Sequence, residues 1–133
     1  MDKEELRELI HLDEKIETKR RQLERLMETR LSVKGIDYSK DRVQTSGHSG
    51  QEDLIIKIID LEREINRDID ELVDKKAVAR EKISHVPGVQ GMILEMRYLE
   101  CMTWEEIAYR LSYSIRAVYK IHGQALQIIK RVQ

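Results

Sequence analysis

The sequence predicts an all-α protein. Apolar residues recur at helical spacing, 37% of the 133 residues are charged, and aromatics make up only 5%, with one Pro and no Phe. That composition suits long, surface-rich helices far better than a β-sandwich or barrel. The length leaves room for one domain, or a small domain with an appendage, and excludes a large multidomain enzyme.

The first predicted helix covers residues 2–34. Leu9, Ile16 and Leu23 stand seven apart, interleaved with Leu12 and Leu26, a heptad stripe broken at Lys19 and Arg30. Asp2 with Glu5 three residues on has the form of a capping box, and Gly35 supplies a stop. Residues 35–50 carry three of the six glycines among Ser and Thr without any apolar period, and read as a loop of unknown role.

A second helix is expected from the box Ser49-Gly-Gln-Glu52 to the stop at Pro87-Gly88, with Ile58, Leu61, Ile65, Ile69, Leu72, Ala79, Ile83 and Val86 as its stripe. Two helices of similar length joined by a loop form, most simply, a coiled-coil-like antiparallel hairpin over residues 1–86. One stripe per helix leaves flanking Leu and Ile residues partly exposed, which points to a homodimer through the N-terminal helices.

Residues 87–133 form a second section, holding Trp104 and four of the five tyrosines. Val89, Met92, Ile93, Met96 and Leu99 suggest a short helix. Thr103 with Glu106 is a third capping box, opening a helix through Ile107, Ala108 and Leu111; Ser112 to Ser114 is a turn. Ser114 is the N-cap of a last helix, residues 114–131, with Val118, Ile121, Ala125 and Ile128 or Ile129 facing inward. The methionines at 92, 96 and 102 read as core, Trp104 as a packing anchor and Cys101 as an inert, buried or half-buried thiol.

Net charge is -1, so charge informs only through its distribution. From Ile107 onward there is no Asp or Glu, while Arg110, Arg116, Lys120, Lys130 and Arg131 are all basic. A capped helix, a short polar turn and a second capped helix with a basic outer face is the layout of a helix-turn-helix. Its second helix enters the major groove of double-stranded DNA, which assigns base readout to Arg116, Tyr119 and Lys120. Backbone contacts fall to Thr103, Arg110, Ser114, Gln124, Lys130 and Arg131. Gly123 lies on the same face and has two readings, a close pass of the helix backbone by a phosphate or tolerated slack. His122 likewise reads as a phosphate contact or as an ordinary surface imidazole.

The stretch Glu95-Met-Arg-Tyr-Leu99 and the run Thr103-Trp-Glu-Glu-Ile-Ala to Gln124-Ala-Leu126 resemble region 4 of bacterial sigma factors, over about a third of the chain. With Tyr38-Ser-Lys-Asp-Arg-Val-Gln-Thr-Ser-Gly47 and Ile58-Ile-Asp-Leu-Glu-Arg-Glu-Ile-Asn66, the chain resembles the ArpU/RinA-type late-gene transcriptional regulators of phages over nearly its full length. The resemblance implies a sigma-region-4-like helix-turn-helix that binds DNA upstream of phage packaging or late genes, and gene activation. Two departures, Ile115 at the second position of the last helix and the pair Tyr119-Lys120, mean that promoter specificity is not carried over. Nothing resembles sigma region 2, so promoter melting is not expected. The alternative is a coiled-coil adaptor that grips RNA polymerase or another protein without reading DNA.

No enzyme, cofactor or metal site is expected. Glu8-Leu-Ile-His11 fits the Glu-x-x-His of di-iron bundles but occurs once, and the pairs Glu5/Glu8 and Glu71/Asp74 lie over sixty residues apart beside core leucines. Gly47-His-Ser-Gly50 lacks the Gly-Lys-Ser/Thr ending of a phosphate loop. The residues after Met1 form no signal sequence and no segment suits a membrane span, so the expected location is the cytoplasm of a bacterial host.

Overall fold

The computed structural model describes the backbone of residues 1–36 and 45–133 and the side chains of residues 1–32 and 50–133. It is all-helical, with no strand among the described residues. The helices are α1 (Lys3–Ile36), α2 (Thr45–Ile83), α3 (Gly88–Leu94), α4 (Trp104–Leu111) and α5 (Ile115–Lys130). α3 runs directly into one wide π-helical turn, Glu95–Leu99.

The Asp2 cap forms as expected: its Oδ1 accepts the Glu5 amide at 2.9 Å, and Glu5 Oε1 accepts the Asp2 amide at 3.4 Å. Of the loop expected over 35–50, residues 35 and 36 belong to α1 and residues 45–50 to α2, while residues 37–44 lie outside the described residues. Ser49 is therefore inside α2, and its capping pattern does not mark the helix start. A Ser-x-x-Glu pattern is also compatible with helix interior, and the Gly50 that follows costs such a helix only about 1 kcal/mol. α2 stops at Ile83, ahead of Pro87, with the Val86 amide donating to the Ile83 carbonyl at 2.9 Å.

The chain divides into two compact units. One unit joins Met1–Glu14 to Glu71–Gln133; the other is Lys15–Asp70. The ends of the long helices belong with the C-terminal section for a physical reason. The Met1 amine donates to the carbonyls of Ile129 (3.4 Å) and Val132 (3.3 Å), and Lys3 and Arg7 lie near enough to His122 and Tyr98 to bias their protonation. Leu6, off the heptad stripe, is fully buried in this unit.

In the Lys15–Asp70 unit, α1 and α2 run antiparallel. Ile16, Ile58 and Ile65 are buried, Leu23, Leu26, Leu61 and Ile69 half-buried. One buried position is polar: Asp68, 8% exposed, accepts from Lys19 Nζ at 2.7 Å. An ion pair set into an apolar stripe favours one register of the two helices over its neighbours. In the other unit the antiparallel pairing continues through Lys75, whose Nζ lies 2.8 Å from Glu8 Oε2. That contact raises the lysine's affinity for its proton.

The core beneath α5 consists of Ile93, Met96, Met102, Ile107, Ala108 and Val118, with Val89, Trp104, Leu111 and Ile121 packed around it. Met92, expected in the core, is 45% exposed: the inward positions of so short a helix are taken by Gly91, Ile93 and Leu94. Gly88 has φ +67°, and Gly91 is buried against the end of α2. A Cβ on Gly91 would lie only 2.1 Å from the Val86 carbonyl oxygen, so α3 can cross there only without a side chain. Among the described residues, no helix is long and apolar enough to cross a membrane.

Candidate nucleic-acid interface

α4 and α5 are placed by local rules that the sequence states openly. Thr103 Oγ1 accepts the Glu106 amide and Glu106 Oε1 accepts the Thr103 amide, both at 3.1 Å, completing a capping box. These bonds hold the Glu106 carboxyl below the usual carboxylate range. α4 ends at Ser112, which takes a left-handed conformation (φ 58°, ψ 39°). The Ser112 amide donates to the Tyr109 carbonyl and the Tyr113 amide to the Ala108 carbonyl, at 3.2 and 3.0 Å. That is a Schellman closure with Ser where Gly is usual. Ser114 Oγ then accepts the Ala117 amide at 3.1 Å and opens α5.

On α5, Val118, Ala125 and Ile129 are fully buried, which settles the choice between Ile128 and Ile129 in favour of the latter. At about 100° per residue, the line opposite this stripe runs through Arg116, Lys120, Gly123 and Gln127, all exposed. Gln124 and Arg131 lie on one side of it and Lys130 on the other, also exposed. Among the described residues, no ion pair engages Arg116, Lys120, Lys130 or Arg131. Gln127 was missed from the sequence, although counting eleven residues on from Arg116 at helical pitch finds it.

Other expected contacts stand differently. Tyr119, 50% exposed, sits at the margin of the basic face, with its ring edge-on to Trp104 at 5.2 Å. Arg110 lies 3.7 Å from Glu100, an exposed pair of little strength. The amide and hydroxyl of Thr103 are both committed to the capping box, and Glu105 and Glu106 bring two carboxylates to the same helix end, which opposes an incoming phosphate.

His122 fits neither reading made from the sequence. It is half-buried and turned inward, its Nε2 2.7 Å from the Tyr98 hydroxyl and its ring edge-on to Trp104 at 4.6 Å. Burial, then the charges of Lys3 and Arg97, lower its pKa to about 4, so the ring is neutral at physiological pH. Burial raises the Tyr98 pKa, so that hydroxyl keeps its proton. Trp104 is the anchor expected of it: the Arg97 guanidinium lies 4.5 Å from its ring centroid, and Arg97 Nη1 donates to the Met102 carbonyl at 2.9 Å. Cys101 is half-buried at φ 55°, and burial followed by the nearby Asp13 carboxylate pushes its thiol pKa up, away from the reactive thiolate.

The arrangement presents a rigid, doubly capped helix whose solvent face carries fixed positive charge and amide donors, with no carboxylate of its own. No curated protein and no solved structure matches the chain. A family match does cover residues 30–130, spanning the end of α1 and all of α2, α3, α4 and α5, and by it the chain belongs to the family described as Protein of unknown function (DUF1492).

Proposed function

We propose that this protein is a sequence-specific, double-stranded DNA-binding transcriptional regulator, a phage or prophage late-gene activator of the ArpU/RinA type it resembles. In this reading α4 and α5 form the helix-turn-helix and α5 is the recognition helix. The observation that carries it is the exposed line Arg116, Lys120, Gln127 on α5, unpaired by any carboxylate among the described residues and backed by a fully buried stripe. Arg116 is suited to bidentate contact with guanine O6 and N7, Lys120 to a single contact, and Gln127 to adenine. Gln124, Lys130 and Arg131 border the line and suit phosphates, and Ser114 stands at the head of the helix as its N-cap; Arg110 joins them by exchanging Glu100 for a phosphate.

Dimerisation belongs to the same proposal. In the Lys15–Asp70 unit Met27, Leu31, Ile55, Ile56 and Ile59 are exposed, and a lone helix-turn-helix gains affinity when linked to a second copy. A symmetric dimer implies inverted half-sites one or more helical turns apart.

A gel-shift titration at two salt concentrations, with duplex DNA flanking the gene and a scrambled control, tests this reading. Expected are tighter binding to the native duplex and affinity falling steeply with salt. Equal, salt-insensitive binding overturns it. The adaptor reading draws on Tyr109 (90% exposed), Tyr113 and Ile115, apolar surface around the α4–α5 turn. It predicts that RNA polymerase is retained while no duplex is shifted.

A further inference from the structure

Gly123 stands in the middle of the exposed line of α5, one turn beyond Lys120 and one turn before Gln127. Nothing inside the protein requires a glycine there. Among the described residues a Cβ built on Gly123 meets no atom within 4 Å, so no described backbone needs the space, and the residue is in ordinary helical conformation. Gly91 is the internal contrast, since its missing Cβ is demanded by the Val86 carbonyl. A mid-helix glycine weakens a helix relative to alanine, so the cost at position 123 is incurred with no return from the folded monomer.

We infer that Gly123 is the seat of α5 in the major groove: the missing side chain lets the helix backbone approach the DNA closely enough for Arg116, Lys120 and Gln127, one or two turns away, to reach base edges. The inference rests on the DNA-binding reading above and deepens it, making Gly123 a positioning residue that acts through those three side chains. A side chain at 123 would hold the helix off the groove floor and shorten the reach of all three together. No charge changes, so the electrostatic hold on phosphates stays the same.

The test uses the full chain, with a duplex selected by the wild-type protein from a random-sequence pool and a scrambled control of the same length. Wild type, Gly123→Ala and Gly123→Leu are titrated on both duplexes at two salt concentrations, and thermal unfolding is followed. Gly123→Ala is expected to raise the Tm by about 2–5 °C while lowering affinity for the selected duplex on the order of tenfold, with a larger loss for Gly123→Leu. Binding to scrambled DNA and the slope of log affinity against log salt stay as in wild type. A more stable Gly123→Ala that binds the selected duplex as tightly as wild type shows helix slack and overturns the inference. So does a less stable one, which would reveal a structural need for glycine. Failure of the wild type itself to select or bind duplex DNA removes the DNA-binding reading, and the inference falls with it.

Discussion

The Tyr98 hydroxyl lies 2.7 Å from His122 Nε2, tying the π-helical turn after α3 to the middle of α5 across 24 residues of sequence. The bond sits on the flank of α5, beside its buried stripe and away from its basic face. Its role is to fix the azimuth of the helix, so that Arg116 and Lys120 point outward together. Trp104 closes the same corner by meeting both His122 and Tyr119 edge-on.

Stability should therefore fall with acid in a definite window. Between the imidazole's ordinary value of 6.5 and its folded-state value of about 4, the unfolded chain binds a proton at His122 that the folded chain refuses. Protons favour the state that binds more of them, so stability declines as pH drops from about 6.5 towards 4, and this site contributes no pH dependence above that range. Nuclear magnetic resonance should find a ring titrating near 4, and His122→Gln should flatten the fall in Tm between pH 6.5 and 5. Tyr98→Phe, which removes the partner, should cost about 1 kcal/mol at pH 7 by urea denaturation.

Gly91→Ala should destabilise strongly. The new Cβ would stand 2.1 Å from a backbone oxygen that no rotamer change can move, and either α3 or the end of α2 must shift. A loss of at least about 2 kcal/mol is expected from such overpacking. Gly50→Ala, where a Cβ meets nothing within 4 Å among the described residues, is the matched control and should be neutral or stabilising. Equal urea midpoints for the two variants would contradict the tight crossing.

Asp68 and Lys19 should behave as a coupled pair. Asp68→Ala leaves a lysine that is only 19% exposed without its 2.7 Å partner, although Glu64 at 3.7 Å takes up part of the charge. A cost of about 1–3 kcal/mol follows. The double change Lys19→Met with Asp68→Leu continues the apolar stripe and should be far less destabilised than the sum of its Lys19→Met and Asp68→Leu single variants, as a double-mutant cycle over those three measures. Strictly additive losses would show that the pair contributes nothing to the helix pairing.

What the sequence made legible was whatever depends on near neighbours. Caps at Asp2, Thr103 and Ser114, the existence of a turn over residues 112–114 and the alternation of buried and exposed positions along α5 all follow from near neighbours, whereas the left-handed conformation of Ser112 did not show, since Gly usually takes that place. Asp68 was not legible as buried, because its reason is Lys19, 49 residues away. Nor was Leu6, which is fully buried although it stands off the heptad stripe, or His122, whose ring meets Tyr98, 24 residues away. Ser49 shows the opposite failure: a local pattern can match where the helix has already begun. On the basic face the cations and Gln124 were readable from residue type, whereas Gln127 shows only when helical pitch is followed from Arg116 through Lys120 and Gly123.

The division of labour on that face gives the sharpest test of the DNA-binding proposal. Arg116, at the head of the exposed line, is assigned to a base edge, whereas Arg131, at the C-terminal end of α5, is assigned to a phosphate. Arg116→Ala should cost about 1–3 kcal/mol on the selected duplex and relax one base position, with little effect on scrambled DNA. Arg131→Ala should weaken every sequence alike and reduce the salt slope by about one. Both variants remove one positive charge from an exposed residue with no ion pair among the described residues, so neither should alter folding. Net charge is matched between them, and any difference in selectivity must come from where on the helix the charge sat. Equal losses on selected and scrambled DNA for both would mean that α5 lies on the polyanion without entering the groove.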